Sequence, residues 1–198
     1  KKKLWLSFDE WNVWYRARSG DAVDGHRKEA PHLLEEIYDL EDALLVGGML
    51  NTLIRNADRV KIACLAQLIN VIAPIMTNEN GLFRQTIYYP YVWALQNARG
   101  KVLNVLVESP TYDVKGLDAV PYLDAIATND NGKTSLFVLN RDLAKSHAVE
   151  LVWEDQAPSQ VLTSQVLTGT DLKAVNGFDA PERVKPQAFS KPNTSNGR

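Results

Sequence analysis

Apolar positions before Gly100 follow two rhythms. The opening run Leu4-Trp5-Leu6-Ser7-Phe8 has the two-residue period of a strand. It sets Leu4, Leu6, Phe8 and Glu10 on one face and Trp5, Ser7 and Asp9 on the other. Both faces are largely apolar, which predicts a strand buried on two sides, as in a parallel α/β sheet. Residues 16–31 are charged and aperiodic and read as a long loop, a kind of segment that often carries function. A short helix is expected over 32–38. A second, longer helix follows, in which Leu40, Leu44, Leu45, Met49, Leu50, Leu53 and Ile54 recur at helical spacing. Asp39 suits its N-cap. Glu41 and Asp42 in the first turn, with Arg55 and Arg59 near the far end, complement its dipole. Gly47-Gly48 lies in mid-helix at a propensity cost of about 1 kcal/mol each, which predicts close packing against a neighbour.

Residues 60–67 (VKIACLAQ) predict another buried strand that ends, like the first, in a polar residue. A loop is expected through Asn78, Asn80 and Gly81. A helix should then run over 88–98, with Pro90 tolerated in its first turn and Gly100 as its stop. Strand, helix, strand, helix is the rhythm of a parallel sheet or a (β/α) barrel. After Gly100 the helical period disappears. Strand-like runs fall at 101–108, 120–128, 133–140, 147–153 and 160–168, and Asn129-Asp130-Asn131-Gly132 is a hairpin turn signal. This half reads as an antiparallel β-sandwich. The expected division is 1–100 and 101–198. The polar, turn-rich residues 190–198 read as a disordered end, and the chain reads as beginning inside a fold.

Composition acts mainly by exclusion. The 198 residues can bury a sizeable core, and 45% hydrophobic with 23% charged residues is ordinary for a globular chain. Net charge is −2 and, apart from Lys1-Lys2-Lys3, basic residues are scattered, which argues against nucleic acid and anionic membrane as partners. No apolar run reaches the roughly 18 residues of a membrane span, and no signal-peptide pattern is present. Cys64 lies in an apolar stretch and reads as a small buried hydrophobe. His26, His32 and His147 share no metal-ligand spacing, so no metal site is expected.

The candidate chemistry lies where the first strand ends. A retaining glycosidase needs two carboxyl groups about 5–5.5 Å apart, held beside aromatic surface. Glu10 follows an apolar strand and is flanked by Trp11, Trp14 and Tyr15. From position alone a strand-end glutamate is more often a solvated or salt-bridged residue than a catalytic one. Trp14 reads either as an apolar wall for a ligand or as local core, and Gln67 either as a ligand contact or as an amide that satisfies loop backbone.

The residues then carry a resemblance. Leu6-Ser7-Phe8-Asp9-Glu10-Trp11-Asn12-Val13-Trp14-Tyr15 resembles the nucleophile segment of the family 51 glycoside hydrolases, the α-L-arabinofuranosidases. Leu40-Glu41-Asp42-Ala43-Leu44 with Gly47-Gly48-Met49-Leu50 resembles the helix after that segment. Ala66-Gln67-Leu68-Ile69-Asn70-Val71-Ile72-Ala73-Pro74-Ile75 resembles the family's eighth barrel strand and the loop beyond, and Gln85-Thr86-Ile87-Tyr88-Tyr89-Pro90 the start of its eighth helix. Pro121-Tyr122-Leu123-Asp124-Ala125 and Val138-Leu139-Asn140-Arg141-Asp142 resemble its C-terminal sandwich.

The resemblance implies a fold made of the last two βα units of a (β/α)8 TIM barrel, followed by a jelly-roll-like antiparallel β-sandwich without its closing strand. It makes Glu10 the nucleophile, Gln67 a hydrogen-bond partner of the arabinofuranose, and Trp14 a wall beside the sugar. It implies an arabinofuranosyl-containing saccharide as substrate, with no metal or cofactor. It also implies a cytoplasmic enzyme (secretion being the alternative) that assembles as a homo-oligomer, a hexamer in the intact family. The family's acid/base glutamate belongs to an Asn-Glu pair on the fourth strand. Asn78-Glu79 falls after the eighth strand and does not take that role. The chain thus resembles the last two-fifths of the enzyme and is expected to be inactive alone. The alternative is a non-catalytic carbohydrate-binding or assembly module, which an exposed row of aromatics would mark. Tyr112, Tyr122, Phe137 and Trp153 form no such row in the sequence.

Overall fold

The computed structural model describes residues 2–15, 35–154 and 157–190. The expected loop at 16–31, the start of the helix expected at 32–38 and the tail from 191 lie outside the described residues.

The elements in chain order are β1 (Leu6–Trp11), α1 (Leu40–Arg55), β2 (Val60–Leu65), β3 (Ile75–Asn78), β4 (Gly81–Arg84) and α2 (Tyr88–Asn97), then β5 (Lys101–Val102), β6 (Thr111–Tyr112), β7 (Val120–Pro121), β8 (Leu123–Asp130), β9 (Lys133–Asn140), β10 (Gln165–Val166) and β11 (Gln187–Ala188). β1 and β2 pair in parallel, from Leu6 opposite Val60 to Trp11 opposite Leu65. After α2 every pairing is antiparallel: β5-β8-β9 form one sheet, and β6-β7 and β10-β11 form separate pairs. The second half is therefore sheet-rich, as expected.

α1 begins where the sequence predicts. Asp42 N donates to Asp39 Oδ1 at 3.0 Å and Asp39 N donates to Asp42 Oδ2 at 2.9 Å, a reciprocal capping box. The close packing expected at the glycine pair is found at Gly48 and not at Gly47. A Cβ on Gly48 would come within 3.1 Å of Leu139 Cδ2 on β9, whereas one on Gly47 would stand 3.9 Å from Pro90 on α2. Arg59 lies beyond the helix, in the turn that leads to β2.

α1 also joins the two halves. One face packs with Trp11, Tyr38, Val46, Leu50 and Ile87. The other packs Leu40 and Ala43 against Leu167, Ala174 and Val184 from the far end of the chain. Asp124 on β8 accepts from Asn51 at 2.9 Å and from Arg55 at 2.6 Å.

Several expectations are corrected. Residues 35–38 are not helical and have no regular secondary structure. Their backbone is satisfied by Gln85, whose Oε1 accepts from Tyr38 N at 2.9 Å and whose Nε2 donates to Glu36 O at 2.8 Å, so no helical ladder is needed there. The loop expected around Asn78 is a hairpin, β3-β4, whose turn is closed by Asn78 Oδ1 accepting from Asn80 N and Gly81 N. β1 is not buried on two sides: Leu6 is 57% exposed and Phe8 45% exposed. Ser7 and Asp9 on the opposite face are exposed as well, and Trp11 alone in this strand is buried. β2, also expected to be buried, has Lys61, Ile62 and Cys64 exposed.

The run expected at 101–108 pairs with β8 only through its first residues and Leu103 N. The runs at 147–153 and 160–168 form no strand except Gln165–Val166. Burial does not alternate regularly along them, and no neighbouring strand pairs with the rest of either run. The hairpin between β8 and β9 is as predicted, with Asn131 and Gly132 both at positive φ (51° and 85°), the two-residue turn that asparagine and glycine favour.

Candidate active site

The C-terminal ends of β1 and β2 lie side by side and are bound together. Ala66 N donates to Trp11 O at 3.0 Å, which extends the parallel ladder past the last paired residues. Asn12 Nδ2 donates to Ala66 O at 2.7 Å and to Ile72 O, while Asn12 Oδ1 accepts from its neighbour Val13 N. One side chain thereby fixes the exits of both strands and the loop that follows β2.

Glu10 sits on this edge, exposed, immediately before Trp11. Trp11 is 5% exposed and packs with its ring centroid 6.3 Å from that of Tyr91. Trp11 therefore serves as the apolar anchor beneath an exposed carboxylate. Gln67 stands exposed just past β2, on the same edge of the sheet. Trp14 is 48% exposed. The fold thus gathers Glu10 and Gln67 at neighbouring strand exits, with Trp14 in the segment that leaves β1. Asn78 and Glu79 are exposed in the β3-β4 turn, where Asn78 has a turn-closing role.

Beneath the edge lies a buried polar layer that sequence reading missed as part of the site. Tyr38 is fully buried and its hydroxyl donates to Val13 O at 2.8 Å. Tyr15 OH donates to Asp42 Oδ1. Gln85, also fully buried, spends a third bond on Ala73 O at 2.8 Å. Thr86 Oγ1 donates to the carbonyls of Tyr38 at 3.0 Å and Asp39 at 2.6 Å. The capping-box position of Asp42 was the one legible signal.

Burial pushes the Tyr38 hydroxyl above its usual range, helped by the negative charges of Glu36 and Asp42. Burial also raises the Asp42 carboxyl, against the hydrogen bonds from Tyr15 and Asp39 that favour its charged form. Lys173 reaches the same helix start, ion-pairing with Asp39 at 3.2 Å and with Glu41.

In the sheet-rich half, Tyr112, Tyr122 and His147 stack in series, with centroids 4.9 Å and 5.6 Å apart. Each of the contacts covers ring faces that a sugar would otherwise use, so this is a packed stack and not an open row. Among the described residues no group of three His, Cys, Asp or Glu side chains is placed to hold a metal ion, and no helix is long and apolar enough to cross a membrane.

Residues 9–198 match the family described as the α-L-arabinofuranosidase C-terminal domain. The chain is 45% identical over 189 residues to the intracellular exo-α-(1→5)-L-arabinofuranosidase of Halalkalibacterium halodurans, covering 94% of this chain and 37% of that protein. It is 41% identical over 199 residues to the intracellular exo-α-(1→5)-L-arabinofuranosidase 1 of Bacillus subtilis, covering 100% of this chain and 40% of that protein. Among solved structures, a family 51 α-L-arabinofuranosidase from Bifidobacterium longum superposes with a TM-score of 0.83 at 38% identity, over 96% of this chain and 38% of that one. The Thermotoga maritima α-L-arabinofuranosidase in complex with arabinose superposes with a TM-score of 0.74 at 28% identity, over 93% of this chain and 38% of that one. The chain thus spans 37% and 40% of the length of these two curated relatives.

Proposed function

The chain belongs to the α-L-arabinofuranosidase C-terminal domain family, and on that premise we propose that it is the C-terminal part of a retaining, exo-acting α-L-arabinofuranosidase with Glu10 as nucleophile. The observation that carries this reading is the tie between the strand exits. Ala66 N on Trp11 O and Asn12 on Ala66 O hold Glu10 and Gln67 on one edge of a parallel sheet. Active sites of (β/α) barrels form at that edge. The β1-α1-β2 crossover supports a reading of residues 1–100 as the last two βα units of such a barrel, with 101–198 as the accompanying β-sandwich. The exposed Leu6, Phe8 and Ile62 are surface that further barrel strands would cover.

In this reading the Glu10 carboxylate attacks the anomeric carbon of a terminal arabinofuranose. The glycosidic C–O bond breaks, and the departing oxygen takes a proton from a second carboxyl group. The same group then removes a proton from water, which cleaves the arabinosyl ester and returns Glu10 as a carboxylate. The second carboxyl group belongs to the part of the relatives that this chain does not span. Gln67 hydrogen-bonds the sugar and Trp14 walls it. The substrates are arabinan, arabinoxylan or their oligosaccharides. The names of the relatives support a cytoplasmic location, and the open apolar face of β1-β2 agrees with assembly into a larger body.

The test is turnover of an aryl α-L-arabinofuranoside by the 198-residue chain and by the full-length polypeptide that carries it. Background rates for the chain alone and α-arabinofuranose as the first product of the full-length protein are expected. Turnover by the chain alone, or inversion at the anomeric carbon, contradicts the proposal.

A further inference from the structure

The segment that leaves β1 has no secondary structure of its own, yet it is held on both sides of Trp14. On one side Val13 O accepts from Tyr38 OH at 2.8 Å. On the other, Tyr15 OH donates to Asp42 Oδ1. Both anchors are fully buried, and each is fixed in turn. Tyr38 N is held by Gln85 Oε1, and Asp42 Oδ2 is held by Asp39 N in the capping box.

Neither anchor is explained by packing or capping alone. A phenylalanine would fill the Tyr38 site without a buried hydroxyl to satisfy. The capping box uses only one oxygen of Asp42 and does not require a desolvated carboxylate. The remaining polar atom of each anchor is directed to the backbone or side chain of a residue flanking Trp14, an aromatic that stands 48% exposed.

We propose that Tyr38 and Asp42 are positioning residues for Trp14, a two-point clamp that holds the exposed indole ready for the substrate. This rests on the reading above, in which Trp14 walls the sugar. Fixing a contact residue before binding lowers the ordering cost that substrate would otherwise meet.

The test uses Tyr15→Phe, Tyr38→Phe, Trp14→Ala and Glu10→Gln in the full-length arabinofuranosidase, each alone and the two Phe changes also in the Trp14→Ala background. KM, kcat and Tm are measured with an aryl arabinofuranoside. Tyr15→Phe breaks the Asp42 contact and leaves the helix cap intact. Each Phe change should raise KM about fivefold with kcat altered less than about twofold, as expected for loss of one positioning hydrogen bond. That rise should vanish in the Trp14→Ala background. If one Phe variant does not fold, the other carries the comparison. A fall in Tm with KM unchanged, an equal rise in KM without Trp14, or a Trp14→Ala enzyme with wild-type KM each overturns the clamp. Activity retained by Glu10→Gln sinks the reading of the site instead, so the two failures are told apart.

Discussion

Asn12 and Ala66 are joined across the exits of β1 and β2 by a 2.7 Å hydrogen bond from Asn12 Nδ2 to the Ala66 carbonyl. The same amide also serves Ile72 O. Asn12→Ala leaves both half-buried carbonyls without this donor, and a loss of about 1–2 kcal/mol is expected in urea unfolding. Asn12→Asp should cost more, because a carboxylate would then face two carbonyl oxygens. A change below about 0.5 kcal/mol for both variants would show that the strand exits are held by other means.

Two glycines should respond in opposite directions. A Cβ at Gly100 would lie 2.1 Å from Asn129 O, and φ there is +77°. Gly100→Ala is expected to destabilise by about 3 kcal/mol or more through clash and backbone strain. At Gly47 the added carbon meets only Pro90 Cβ, at 3.9 Å. Gly47→Ala should therefore stabilise by about 0.5–1 kcal/mol through helix propensity. Thermal melts of the two variants check the pair, and the same sign for both would contradict this packing.

The contrast shows what the sequence could and could not tell. α1, its Asp39 cap, and the Asn131-Gly132 hairpin were readable because each depends on residues close in the chain. Glu10, Trp14 and Gln67 were singled out by local context and by resemblance. What escaped was long-range. Gln85 replaces an expected helix by satisfying residues 36 and 38 from across the fold. The runs at 147–153 and 160–168 have strand-like composition, but pairing depends on a neighbour that composition does not specify. The exposure of β1 and Cys64 likewise follows from what covers the sheet and not from their own sequence.

Asp42 makes stability depend on pH in a defined sense. Its folded-state carboxyl is raised above the ordinary value of 3.8, chiefly by burial. A raised acid binds its proton more tightly when folded, so the folded state gains as pH falls toward the ordinary value and loses as pH rises through the raised one. Asp39, Tyr15 and Tyr38 face this group, and none of them is altered in Asp42→Asn. The difference Tm(wild type) minus Tm(Asp42→Asn) should therefore grow as pH is lowered from 7 toward about 4. A difference that shrinks over that interval would mean that the hydrogen bonds from Tyr15 and Asp39 outweigh desolvation.

The most direct measurement is covalent capture of the nucleophile. The full-length protein is incubated with an arabinofuranoside whose ester intermediate hydrolyses slowly, digested, and mapped by mass spectrometry. The expected result is a single arabinosyl adduct on Glu10, absent from Glu10→Gln, whose turnover should be lower by roughly three orders of magnitude or more. An adduct on any other residue, or full labelling of Glu10→Gln, would contradict the assignment of Glu10 as nucleophile.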